Sequence, residues 1–248
     1  MATIPAAVPE AQASISPVGR LIGVLFSPKA TFEDIVRKPT WALPLIIMVL
    51  LGGLAGIFIN MKMDWREYMA QQIEKSPRAA NMSPEQKQQQ IEGGAKFAPI
   101  STYIIAPLAP GLMLLVVALV MWGAYNLLGG ANTDYKTSLS IVAHSYVPTY
   151  LSSLLFFLIV FLKPPGSLNV DNPIATNLAA FLREDTPKWL DALGKNLDVF
   201  LLWALVLIGI GFAFTNPRKL KGGKSFTIVF GVFAAYVVLR VGLAFIMS

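Results

Sequence analysis

Long uncharged apolar runs alternate with shorter polar segments along this chain. A hydrocarbon core of ~30 Å needs ~20 mostly apolar residues in a helix. Five runs of that kind occur, at about 41–60, 102–128, 138–162, 197–215 and 225–247. Backbone polar groups find no water inside lipid, so these runs predict helices. The ~10-residue alternating strands of a membrane barrel are absent. The expected class is all-α: a polytopic integral membrane protein with five transmembrane helices plus short interfacial amphipathic helices.

The segments between the runs are patterned too. Val18, Leu21, Ile22, Leu25 and Phe26 form one apolar helical face, with Arg20 off the stripe. Ser16–Pro17 supplies a helix start, with Ser as cap and Pro in the first turn. Ser27–Pro28 repeats the device, Phe32, Ile35 and Val36 form a second short face, and Pro39 ends it. Residues 16–40 therefore predict two short helices, lying in the cytoplasmic interface or packed on the spans. The Ala- and Pro-rich residues 1–15 predict a disordered tail. After the first run, Trp65, Tyr68, Met69 and Ile73 share a helical face behind Asp64 as cap. Ser83–Pro84–Glu85–Gln86 then reads as a capping box opening a polar helix, which Gly93–Gly94 is expected to stop. Helices are also expected at about 173–183 and 187–193. Residues 41–248 make the membrane domain.

Composition strengthens this reading. Apolar residues make up 55% and charged residues 14%, against roughly 25% charged in soluble proteins, and the mean hydropathy is +0.59. With no cysteine and one histidine, disulfide scaffolds, thiolate metal sites and cysteine nucleophiles are excluded. The net charge of +6 clusters at Arg218, Lys219, Lys221 and Lys224 and at Arg20, Lys29, Arg37 and Lys38. With five spans both clusters fall on one side, which the positive-inside rule makes cytoplasmic. The expectation is a bacterial inner-membrane protein with its N-terminus inside and its C-terminus outside, the first span acting as its own insertion signal. The basic residues are expected to meet membrane lipids. They form no stripe interleaved with aromatics, so no nucleic-acid partner is expected.

Few residues could carry chemistry. Ionisable groups within spans are functional candidates by default. Arg240 lies in the fifth run, where snorkelling or a pair with Asp198 at the start of the fourth accounts for it. His144 lies in the third run among hydroxyl residues. Ser145, Thr149, Ser152 and Ser153 share a polar stripe that Thr137, Ser140 and His144 continue, with Tyr146 and Pro148 beside it. Such residues hold membrane helices together, or they line a groove for a headgroup or a partner helix. Gly52 and Gly56 form a GxxxG that permits close helix approach. No phosphate loop, dinucleotide fingerprint or metalloprotease motif occurs, so no enzyme, cofactor or metal is expected. The leading expectation is a membrane adaptor or scaffold that binds other membrane proteins or itself and organises or shapes the bilayer. The alternative is a small transport component or accessory subunit of an export complex.

Several short motifs, in order and spacing, resemble the Yip1 domain family. They are Phe26–Ser27–Pro28 followed by Phe32, Pro39–Thr40–Trp41–Ala42–Leu43–Pro44, Met82 to Gln86, Ser145–Tyr146–Val147–Pro148, and Leu197–Asp198–Val199–Phe200 with Trp203. The eukaryotic branch's Asp-Leu-Tyr-Gly-Pro motif is absent, so the resemblance is to the bacterial branch. It implies five spans and a cytoplasmic N-terminus. Eukaryotic members act in vesicle biogenesis and bind Rab GTPases and each other. The family defines no catalytic position to carry over.

Overall fold

The structure is a computed structural model that describes residues 14–164, 166, 168, 172–183, 185–221 and 223–246. Among these the fold is helical, with one isolated β-bridge between Asn177 and Asp198. The tail expected over 1–15 lies outside the described residues as far as position 13, as does Met247 at the end of the fifth run.

Two short helices come first, α1 (Pro17–Phe26) and α2 (Pro28–Arg37). Ser16 Oγ accepts from Gly19 N and caps α1. The pair forms a hairpin that packs on the bundle rather than lying apart from it. Arg20, the residue off the apolar stripe, points inward. Its Nε donates to Asp34 Oδ2 at 2.8 Å, and one terminal nitrogen donates to Lys38 O at 2.8 Å and Thr40 Oγ1 at 2.7 Å. The two charged side chains are 3% and 5% exposed. This pair ties α1, α2 and the lead into the first span.

The spans follow. α3 (Ala42–Lys62) leads to α4 (Trp65–Glu74), capped as expected by Asp64. A 3₁₀ turn, Pro77–Asn81, precedes α5 (Pro84–Ala124). The Ser83–Gln86 capping box forms, but Gly93–Gly94 does not stop the helix. α5 runs unbroken for 41 residues, so the second span is the inner part of a longer rod. The physical reason is α4, which packs along the polar half of α5. A Cβ on Gly94 would crowd Met69 Sδ, so glycine here serves close approach rather than termination. α5 ends in a π-helical turn, Tyr125–Gly129, and Gly130 closes it in the left-handed region at φ 65°.

The third run is two helices, α6 (Tyr135–Ser145) and α7 (Val147–Leu162). Pro148 has no N–H to return to the His144 carbonyl, and the residue before a proline resists the α conformation. The register breaks at Tyr146, and Pro148 falls in the first turn of α7. Beyond it only a 3₁₀ turn, Leu178–Phe181, forms within the helix expected at 173–183. The next expected helix is α8 (Lys188–Asn196).

The fourth run gives α9 (Val199–Ala213), 15 residues or ~22 Å at 1.5 Å per residue. That is short of a hydrocarbon core. α10 (Lys224–Ile246) has 23 residues. By length and apolarity four segments can cross a bilayer: α3, α5 with its π turn, α6 with α7, and α10. The five-span expectation is thus reduced to four long segments plus one short, largely enclosed helix.

One end of the bundle, called here the basic end, holds Lys29, Arg37 and Lys38 before α3 and Arg218, Lys219, Lys221 and Lys224 between the fourth and fifth runs, while the Lys and Arg of the opposite loops stand among most of the Asp and Glu. There Tyr125 stacks on Phe212 with ring centroids 3.9 Å apart and planes 7° apart. Its hydroxyl donates to Ser225 O at 2.7 Å, while Ser225 Oγ donates to Gly209 O at 2.6 Å. This knot joins the ends of α5, α9 and α10. Asn216 Nδ2 donates to Gly130 O at 3.0 Å and ties the two loops together.

Candidate interaction site

The hydroxyl stripe of the third run divides at Tyr146. On α6 every residue from Thr137 to Ser145 is buried, enclosed by α1, α2, α5 and α9. Its serine hydroxyls and one ring nitrogen of the histidine bond to carbonyls of the same segment. Ser138, Ser140 and Ser145 donate to the carbonyls of Asp134, Lys136 and Ile141, and His144 Nδ1 meets Ser140 O at 2.8 Å. At its start, Asp134 caps the helix by accepting from Thr137 N, and those hydrogen bonds hold its carboxyl below the usual range. This half of the stripe is structural glue.

The other half opens sideways. Tyr146, Thr149, Tyr150, Ser152 and Ser153 line a cleft of about 400 Å³ between α3, α5 and α7. Opposite them stand Gly52, Ala55, Ala106 and Pro110, with buried Met48 and exposed Met113 also in the lining. Thr149 donates to Tyr146 O at 2.7 Å and Ser153 to Thr149 O at 3.2 Å. Tyr150 donates to Pro44 O at 2.6 Å and fastens α7 to the start of α3. Neither Tyr146 nor Ser152 makes a side-chain hydrogen bond to another described residue.

The floor of this cleft follows from proline chemistry. Pro110 cannot donate to the Ala106 carbonyl, so that oxygen has no partner in its own ladder. It meets the backbone of α3 instead: a Cβ on Gly52 would overlap Ala106 O, and one on Gly56 would lie 3.0 Å from Ala106 Cβ and 3.2 Å from Thr102 O. The GxxxG is therefore used within the chain, as the seam between α3 and α5.

The remaining candidates lie apart from the cleft. Asp198 caps α9, accepting from Phe200 N at 2.9 Å and Leu201 N at 3.0 Å, and it also accepts a hydrogen bond from the Thr176 hydroxyl. Arg240 sits 6.0 Å from the centroid of the Tyr236 ring. The pairing expected between them does not form, because Asp198 is engaged by its own helix start. Replacing Asp198 by alanine should cost roughly 1–2 kcal/mol of stability through the lost cap. Arg240→Gln should cost no more than about 1 kcal/mol. Thermal unfolding of the two variants in one detergent checks the order, and equal losses would mean that the charges are coupled after all.

Sequence reasoning missed the Arg20–Asp34 pair and the Tyr125 knot. One signal for the pair was present: both residues stand seven positions from Ser27, at the turn of the helical hairpin, and such positions meet in antiparallel helices.

A Yip1 domain profile matches residues 22–243. The chain belongs to the Yip1 domain family. It is similar to the membrane protein YknW of Bacillus subtilis (strain 168), with 26% identity over 217 residues and 87% of each chain covered. No solved structure matches it. Neither the family nor the relative carries an enzyme's description. In this Yip1 protein the motif residues have visible structural roles. Ser145–Tyr146–Val147–Pro148 is the break between α6 and α7, and Asp198–Val199–Phe200 is the cap of α9.

Proposed function

We propose that this Yip1 protein is a non-enzymatic adaptor in a bacterial inner membrane, its basic end toward the cytoplasm, and that it binds a transmembrane helix of another membrane protein in the cleft between α3, α5 and α7. The observation that carries the reading is the unpartnered hydroxyl of Ser152 on the open wall of the cleft. A hydroxyl in hydrocarbon gains from any partner that brings an acceptor. Ala55, Ser152 and Ser153 are small enough to let a second backbone come close to the cleft wall. The division of the hydroxyl stripe supports an adaptor over a transport component, because its α6 half is packed shut.

A photo-crosslinking amino acid at Ser152, in native membranes, tests this. A discrete protein adduct should form there and not from Leu158, an exposed apolar position of the same helix. Filling the cleft with Ala55→Leu should suppress it. Adducts only to lipid, or equal adducts from both positions, would count against the reading, and a two-copy adduct would assign the cleft to self-association.

A further inference from the structure

The α1–α2 hairpin has an outer surface that the bundle does not use. Val24, Phe32 and Ile35 are fully buried, but Val18, Ile22 and Phe26 are 60%, 57% and 80% exposed. They stand at i, i+4 and i+8 and make one ridge. The only charged residue of α1 is Arg20, and it is buried against Asp34. The outer face of α1 therefore carries no charge. α2 is the opposite: its exposed positions include Lys29, Glu33 and Arg37, and Lys38 follows.

The level of the hairpin along the bundle can be read from contacts. α3 and α7 start and end side by side, with Tyr150 on Pro44 O and Lys62 Nζ on Lys163 O at 2.7 Å. Gly111 of α5 faces Leu45 and Val49 near the start of α3. Toward the basic end α5 continues to Ala124, ~20 Å further at 1.5 Å per residue. Over that stretch it exposes Leu112, Met113, Val116, Leu119 and Val120, and residues 97–133 hold no charge. The apolar belt thus runs on past the start of α3. In that zone the bundle's flank is made by α1 and α2, packed on α6, α7 and α9.

We infer that the α1–α2 hairpin is seated in the leaflet at the basic end, with the Val18–Ile22–Phe26 ridge among the acyl chains and Lys29, Arg37 and Lys38 at anionic phospholipid headgroups. Two features select lipid as the occupant. The ridge stands at the level of the exposed apolar belt of α5, since α6, on which the hairpin packs, starts beside Leu115 with Tyr135 on its carbonyl, and the neighbouring helix supplies the cationic rim that anionic headgroups attract. Phe32, packed against Gly211 of α9 beside Ile141 of α6, seats the hairpin on the bundle, and the buried ion pair holds its two helices together, so the ridge meets the leaflet at a set depth. The inference rests on membrane insertion alone and stands whether or not the cleft holds a partner.

The chain has no cysteine, so single cysteines carry a fluorescent label without background. Ile22→Cys, Phe26→Cys, Glu33→Cys and Leu119→Cys are made at exposed positions and reconstituted into phosphatidylcholine vesicles containing phosphatidylglycerol. Labels at 22 and 26 should be quenched by doxyl-labelled lipid as strongly as the label at 119, and spared by aqueous iodide. The label at 33 should show the reverse. Strong iodide quenching at 22 and 26 would place the ridge in water, as a docking face for a soluble protein, and overturn the inference. Protection from both quenchers would mean that another protein covers the ridge, and would overturn it equally.

Discussion

Asp34→Ala will unseat the N-terminal hairpin and lower stability by about 3–5 kcal/mol, the usual cost of leaving one member of a buried ion pair without its partner. Arg20 would then keep its contacts to Lys38 O and Thr40 Oγ1 but lose the carboxylate that meets both its Nε and its second terminal nitrogen at 2.8 Å. Ile15 N, 3.2 Å from the same oxygen, would lose its acceptor too. Thermal unfolding in detergent gives the stability, and trypsin cleavage after Arg37 reports release of the hairpin. Replacing both residues by leucine should restore most of the loss, because two apolar side chains leave no uncompensated charge. If Asp34→Ala unfolds like the unsubstituted protein, the pair does not hold the hairpin.

Gly52→Ala and Gly53→Ala form a matched pair with opposite expected signs. At Gly52 the new methyl meets the Ala106 carbonyl, a backbone atom that cannot swing aside. α3 and α5 must separate, at a cost of about 1–3 kcal/mol. At Gly53 the nearest atom is Pro107 Cβ at 3.7 Å, an ordinary contact. There the better helix propensity of alanine should leave stability unchanged or raise it by up to ~1 kcal/mol. The same denaturation series reads both. Equal losses would show that the seam does not depend on the free carbonyl at Ala106.

Local chemistry in the sequence announced the helix starts. Ser16, Asp64, Ser83 and Asp198 all precede helices and accept from backbone amides within three residues, so the information is contiguous in the chain. Gly93–Gly94 misled because glycine serves both helix ends and close packing, and only the position of α4 decides between them. The Arg20–Asp34 pair was hidden for a similar reason: an isolated Arg beside an apolar stripe reads as solvated until a hairpin closes over it. The polar stripe of the third run was visible, but its division was not. Burial of α6 on all sides depends on the N-terminal hairpin, and nothing in the run itself separates Ser145 from Thr149. Only the cleft half then carries the candidate site, and that half shows which hydroxyls lack a partner.

The brevity of α9 is absorbed within the bundle. Its first turn is fastened to the preceding loop, with Val199 N donating to Thr176 O at 3.1 Å, so loop backbone is built onto the start of the helix. Beyond its first residue only Val206 of α9 is exposed, so the bundle rather than lipid surrounds this short helix. An enclosed helix need not match the hydrocarbon thickness, because mismatch is felt by the helices that face the acyl chains. The longer segments α3, α5, α7 and α10 therefore set how the protein fits a bilayer, and the short helix keeps polar loop backbone at its start without deforming the membrane.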